Sequence, residues 1–178
     1  MFRKYFLLTI LLFGSIVSFS QSAFAQNEGK LDRQIRKEIL TLPYYNVFDA
    51  IGYERSGDTV TINGYVTRPT TKKDAEESIA DIDGVRRVVN NIVVLPLSPS
   101  DDRLRRRILQ TLTGRGGSLY RYFMGTNPSI RIIVNRGRVS LEGYVTNRGD
   151  YNLANVLTKG VSGSFAVTNN LKIDNDER

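Results

Sequence analysis

Val60-Thr-Ile-Asn-Gly-Tyr-Val-Thr67 decides the fold, because it returns 79 residues later as Val139-Ser-Leu-Glu-Gly-Tyr-Val-Thr146. At that offset, residues 60–94 align with residues 139–173 without a gap, and 10 of the 35 positions are identical. A period this long exceeds the repeat unit of a solenoid and suits two tandem small domains. The sequence therefore predicts one module made twice, a first copy and a second copy.

The repeated stretch has the pattern of a strand with one buried face. Val60, Ile62 and Gly64 alternate with polar or aromatic residues, which is the period of two expected for a strand. The second copy keeps this alternation. Because Gly64 and Gly143 occupy the same inward position, we expect another backbone to approach closely there, most simply a helix crossing the sheet.

The elements around the strand follow the same order in both copies. Apolar residues at helical spacing predict a first helix at 31–42, with a counterpart at 102–112 for which Ser100 and Asp101 offer capping oxygens. A hairpin, a second helix and a β-branched third strand follow in each copy. A right-handed crossover makes the second and third strands parallel neighbours. We therefore predict an α+β fold of two tandem αββαβ modules, each a three-stranded mixed sheet with two helices on one face.

The first 25 residues have the features of a secretory signal peptide. Arg3 and Lys4 give a basic start, an apolar run follows at 6–17, and Ala23-Phe24-Ala25 is a typical cleavage signal. The run is short for a bilayer span, so a retained anchor is the weaker alternative. The chain has no cysteine, which argues against a lipoprotein. We expect a signal peptide at 1–25, a first domain at 30–97, a second domain at 98–174, and a periplasmic location.

The charge is unevenly divided between the copies. Residues 26–97 carry a net charge of −1, whereas residues 98–178 carry +6. Outside the cytoplasm, a basic surface is suited to an anionic phospholipid, an acidic glycan or an acidic protein rather than to nucleic acid. A basic surface that only aids solubility is the alternative.

Several kinds of chemistry are missing from this chain. It contains no histidine, cysteine or tryptophan, so histidine-based acid-base catalysis and the usual zinc sites are not available. Glu142 lies on the outward side of its strand, and the glycine-rich stretch 114–117 lacks the context of a phosphate-binding loop. We expect no catalytic site, no metal and no cofactor.

Both copies resemble the BON domain, a module of bacterial osmotically induced and nodulation proteins. The resemblance rests on residues 57–66 with 83–92 in the first copy, and on residues 137–145 with 163–171 in the second. It implies a periplasmic or envelope-associated protein with a helix-strand-strand-helix-strand module. It also implies binding to anionic phospholipid and a role in keeping the envelope intact under osmotic stress.

The second copy offers the residues for such a contact. Its first helix is rich in arginine, and a ten-residue insertion within 114–129 interleaves tyrosine and phenylalanine with arginine. Guanidinium groups reach lipid phosphates, and aromatic rings favour the boundary with the acyl chains. An alternative is that the aromatic residues cover the end of the sheet as core. The predicted lipid-binding residues are Arg103, Arg106, Arg107, Arg115, Tyr120, Arg121, Tyr122 and Phe123.

Two other functions stay open at this point. As a protein-interaction module, the chain would use exposed strand edges or the aromatic residues Tyr44, Tyr45 and Phe48 to hold an envelope partner. As a peptidoglycan or glycan binder, it would use stacking tyrosines such as Tyr65 and Tyr144, which are equivalent in the two copies.

Overall fold

A computed structural model describes residues 18–114 and 117–174, with side chains from residue 29 onward. Most of the predicted signal peptide, residues 1–17, lies outside the described residues, as does Arg115. Within the described part, no helix combines the length and apolar character needed to cross a bilayer. The described residues fall into two compact units, which divide between Lys37 and Glu38.

The first helix, α1, spans Ser18–Thr41. It starts well before the predicted 31–42 because the polar residues ahead of that stripe include no proline, and Gly29 alone does not break a helix. Its part up to Lys37 belongs to the first unit and its last turn to the second. The predicted apolar stripe is buried at Ile35, Ile39 and Leu42.

The first copy contains a three-stranded mixed sheet, which lies in the unit that begins at Glu38. Its strands β1 (Ala50–Ser56), β2 (Thr59–Val66) and β3 (Arg87–Val94) lie in that order. β1 is antiparallel to β2, and β3 is parallel to it, because α2 (Pro69–Ala80) makes the crossover and packs on β2 and β3. This confirms the predicted order and direction of the strands.

The second copy repeats the arrangement. α3 (Pro99–Leu112) is followed by a 3-10 helix (Ser118–Phe123), and then by β4 (Ile130–Asn135), β5 (Arg138–Val145), α4 (Arg148–Lys159) and β6 (Ala166–Ile173). The strands are again ordered β4-β5-β6, antiparallel and then parallel. Side chains of α3 and α4 share one buried cluster with the inward residues of the sheet, so both helices cover the same face. The α+β class with two tandem modules is confirmed.

The shared glycines meet a strand, not a helix. A Cβ on Gly64 would lie 2.0 Å from the carbonyl oxygen of Ala50, and one on Gly143 would lie 2.0 Å from that of Ser129. Both glycines have positive φ, 133° and 108°, which side chains disfavour. The expectation of a crossing helix was wrong, because the close backbone belongs to the adjacent hairpin strand.

The start of α3 differs from the prediction in its capping groups. Ser98 caps the helix, its hydroxyl accepting the Asp101 N–H at 3.2 Å. Asp101 is buried and instead accepts the N–H groups of Arg136 and Gly137, at 2.7 and 2.9 Å, in the β4–β5 turn. Its carboxylate therefore ties the first turn of α3 to the hairpin.

The first copy covers the outer edge of β4. The Ile132 N–H donates to the Val47 carbonyl at 2.8 Å, and an Arg131 guanidinium N–H donates to the Asn46 carbonyl at 2.9 Å. The Arg131 guanidinium also lies 4.4 Å from the centre of the Tyr45 ring. Arg131 is 6 % exposed and Tyr45 is partly buried. This burial lowers the pKa of Arg131 and raises that of Tyr45.

Candidate functional site

α3 is strongly amphipathic, and this sets the direction of its arginines. Leu104, Ile108 and Leu112 are buried against the sheet of the second copy. Their spacing of four leaves Arg103, Arg106 and Arg107 on the opposite, wet side. The helix therefore presents a separate outer face to solvent.

Three of the predicted arginines lie together on that outer face. Arg103, Arg106 and Arg107 are exposed and, with Gln110, line one open depression of about 460 Å³. No carboxylate within residues 29–114 and 117–174 forms an ion pair with any of the three. Their positive charges are therefore available to an anionic ligand.

Arg105 has a different role from its neighbours. It is 4 % exposed; one guanidinium nitrogen donates to Asp102 in a salt bridge, and the other donates to the Val134 carbonyl at 2.6 Å. Arg105 therefore joins α3 to β4, and its charge is used inside the fold, because a buried charge needs a partner of this kind.

A second depression adjoins the first on the side of α4. It measures about 450 Å³ and shares Arg107 and Gln110 with the arginine-lined depression. Its other wall includes Val156 and Leu157 of α4 and Val161 of the following turn. The Arg107 guanidinium lies against that turn, since a Cβ on Gly163 would be 3.0 Å from Nη2. Cationic and apolar side chains therefore border the same hollow.

The insertion is folded into the second copy around Tyr122. This side chain is 5 % exposed; its hydroxyl accepts the Thr146 N–H at 2.9 Å and donates to Asp150 at 2.6 Å. Leu119 is also buried in the core. Tyr122 is therefore part of the interior in this structure, and its burial fits the alternative that the insertion covers the end of the sheet.

Asp150 is the acceptor at the centre of this network. Burial by itself would raise the pKa of its carboxyl, but hydrogen bonds from Tyr122 and Asn147 and the Arg121 guanidinium outweigh burial and hold the pKa below its usual range. Arg121 forms a salt bridge with this carboxylate. Its charge is thus largely compensated, unlike the charges on the outer face of α3.

The remaining predicted residues are dispersed. Tyr120 is exposed, and Phe123 is half-buried against the core of the second copy. Arg115 lies outside the described residues. The structure therefore brings together Arg103, Arg106 and Arg107, and joins Arg121 to Tyr122 in a separate structural network.

Sequence reasoning missed the exposed apolar residues of α4. The sequence predicted the helix but not its exposed side: only Ala154 of its apolar residues is fully buried, whereas Leu153 and Val156 are exposed. Phe165, just before β6, is exposed as well. The available signal was spacing, because Val156 follows Ala154 by two residues and so lies on roughly the opposite side of the helix.

The aromatic residues of the two alternative functions are also placed. Tyr65 and Tyr144 are partly exposed to the same degree. Tyr45 and Phe48 face the second copy, Tyr45 at Arg131 and Phe48 against the core cluster. Only Tyr44 of the first group is well exposed, and Arg68 lies 4.6 Å from the centre of its ring.

No curated protein matches the chain. Two solved structures of CdsD, a structural protein of the type III secretion system of Chlamydia trachomatis, resemble it at 15 % and 11 % identity with TM-scores of 0.32 and 0.31. The matches cover 83 % and 80 % of this chain; the chain spans 62 % of the first structure and 96 % of the second, its C-terminal domain. Likeness at these TM-scores carries no argument about function.

The family model for the BON domain matches twice, at residues 27–96 and 100–175. Each match contains one helix-strand-strand-helix-strand set, so the duplication predicted from the repeated strand is a pair of tandem BON copies. The chain belongs to the BON domain family.

Proposed function

We propose that this chain is a non-enzymatic binding protein of the bacterial envelope, and that its second copy contacts anionic phospholipid. Membership of the BON family supports the envelope-associated binding role. The observation that supports the lipid contact is the outer face of α3, where Arg103, Arg106 and Arg107 are exposed side by side with no ion-pair partner among the described residues. The signal peptide expected at 1–25 would deliver the chain to the periplasm.

The energy of such a contact follows from the charges. A basic residue close to an anionic surface contributes on the order of 1 kcal/mol. Three together contribute about 3 kcal/mol, or roughly a hundredfold in the partition coefficient. Binding of this strength is reversible and is screened by salt over a Debye length of about 10 Å at 0.1 M.

The experiment is sedimentation with phosphatidylglycerol vesicles and with phosphatidylcholine vesicles. We expect the chain to sediment with the first and not with the second, and the triple variant Arg103→Gln, Arg106→Gln, Arg107→Gln to lose roughly a hundredfold in binding. A matched control replaces Lys73, Arg86 and Arg87 of the first copy by Gln, which removes the same charge from exposed positions. Equal losses in the two triple variants would reject the site, and equal binding to both vesicle types would reject the lipid contact.

A further inference from the structure

The second copy carries exposed apolar side chains beside its arginines. Phe165 is 85 % exposed, Val156 is 65 % exposed and Leu153 is 37 % exposed. Val156 and Arg107 line the same depression, and Leu153 lies one helical turn before Val156 on α4. Phe165 follows two residues after Gly163, against which Arg107 lies, and its ring lies over Gly137 in the β4–β5 turn.

The equivalent residues of the first copy are charged. At the offset of 79 residues, Leu153 corresponds to Asp74, Val156 to Glu77 and Phe165 to Arg86. Glu77 and Arg86 are exposed there and form surface salt bridges with Lys73 and Asp58. The same fold therefore needs no apolar side chain at positions 153 and 156, so the core does not explain Leu153 and Val156. The ring of Phe165 lies over Gly137, where the first copy pairs Arg86 with Asp58, and the ring nevertheless stays 85 % exposed.

Charge changes in the same direction across this surface. The helix alignment that pairs residues 103–109 with 34–40 places Arg107 opposite Glu38. The second copy thus has a cation where the first has an acid, next to apolar side chains where the first has charges. A surface that is cationic and apolar side by side is complementary to a bilayer of anionic lipid, whose phosphates lie directly above its acyl chains.

We propose that Phe165 and Val156, with Leu153 at the edge, insert between the acyl chains of an anionic bilayer while the α3 arginines hold the phosphates. This inference rests on the proposed lipid contact and adds a hydrophobic anchor built from α4 and the start of β6. Binding then has two components. Salt screens the contribution of the arginines, whereas the inserted side chains keep part of the affinity when the Debye length falls to about 3 Å at 1 M.

The absence of tryptophan from the chain gives a direct test. The variant Phe165→Trp introduces a single indole at an exposed position, and Tyr65→Trp introduces one on the sheet of the first copy as a control. With phosphatidylglycerol vesicles, we expect the emission of Phe165→Trp to shift to the blue and to be quenched by lipids brominated on the acyl chains. We expect the emission of Tyr65→Trp to remain unchanged.

A second variant pair measures the contribution to affinity. The double variant Val156→Ser, Phe165→Ser should bind vesicles at least about tenfold more weakly than the unaltered chain. It should also lose the fraction that remains bound at 1 M salt. Met124→Ser is the matched control, because Met124 is similarly exposed, at 61 %, in the loop before β4. Circular dichroism of each variant checks that the fold is retained.

The outcomes separate the two proposals. If Phe165→Trp sediments with phosphatidylglycerol vesicles but shows neither a shift nor quenching, adsorption is purely electrostatic; the anchor is then rejected and the lipid contact stands. If the unaltered chain does not sediment with these vesicles, both proposals are rejected. If Met124→Ser weakens binding as much as the double serine variant, the α4 anchor is rejected.

Discussion

The two copies tie the end of the same strand in different ways. In the first copy, the Asp49 carboxylate accepts the N–H of Thr67 at 2.6 Å and its hydroxyl at 2.8 Å. In the second copy, the Tyr122 hydroxyl accepts the N–H of the equivalent Thr146 and donates its own proton to the Asp150 carboxylate. The strand end needs an acceptor in both copies, but the residue that supplies it comes from a different segment.

This difference gives the insertion within 114–129 a structural role. By the same offset, Asp49 corresponds to Pro128, which has no acceptor side chain. The inserted 3-10 helix brings in Tyr122 from another direction, so the insertion replaces a lost structural contact. The surface that distinguishes the second copy is instead the pair of helices, α3 and α4, where substitutions changed charge and polarity without changing the fold.

The largest effect is expected where the copies agree. Gly64→Ala and Gly143→Ala each place a Cβ about one bond length too close to a carbonyl oxygen of the neighbouring segment, at a positive φ. Each should lower the free energy of unfolding by about 4 kcal/mol or more, measured by urea denaturation. Gly52→Ala is the control, since nothing lies within 4 Å of its added Cβ. A small loss at either glycine would show that the two hairpins are not built alike.

An intermediate effect is expected where the copies differ. Asp49→Asn weakens three hydrogen bonds to a buried carboxylate and should cost about 3 kcal/mol of unfolding free energy. Tyr122→Phe removes one hydroxyl from the network around Thr146 and should cost about 2 kcal/mol. Hydrogen exchange should then locate the loss at Thr67 in one variant and at Thr146 in the other. Protection lost equally at both sites in either variant would contradict separate ties.

The smallest effect concerns pH. Because the folded chain holds the pKa of Asp150 below its usual range, this group adds stability above the unfolded pKa of about 3.9. That stability is lost as the pH falls below about 4 and through the folded pKa. We expect Asp150→Asn to unfold with a weaker dependence on pH in this window than the unaltered chain. Parallel pH profiles would show that the Tyr122 network does not favour the charged carboxylate.

The repeated strand made most of the fold predictable. The alternation from Val60 and the alignment with Val139 were sufficient for strand order, direction and the number of modules, because hydrophobic period and crossover handedness are local rules. The extension of α1 ahead of the predicted 31–42 was not predictable, because no proline separates that stripe from the polar residues before it. Gly64 was recognised as a point of close approach, but a single sequence does not say which backbone approaches.

The candidate site was predictable only in part. Spacing alone places Arg103, Arg106 and Arg107 on one side of a helix, but it does not show that Arg105 is neutralised in the interior or that Tyr122 is buried. Those outcomes depend on Asp102, Val134 and Asp150, which meet these residues through tertiary packing. Exposed Val156 and Phe165 have apolar side chains like those of the core, so composition could not separate them from it.

The contact between Tyr45 and Arg131 bears on whether two chains can stack end to end. Contacts between unlike faces of repeated units grow into open chains when every unit carries both faces. Here the register of the two hairpins puts Gly52 of the first copy in place of Arg131, so the first copy does not present the guanidinium. Stacking of two chains end to end would therefore lack this contact between a guanidinium and an aromatic ring.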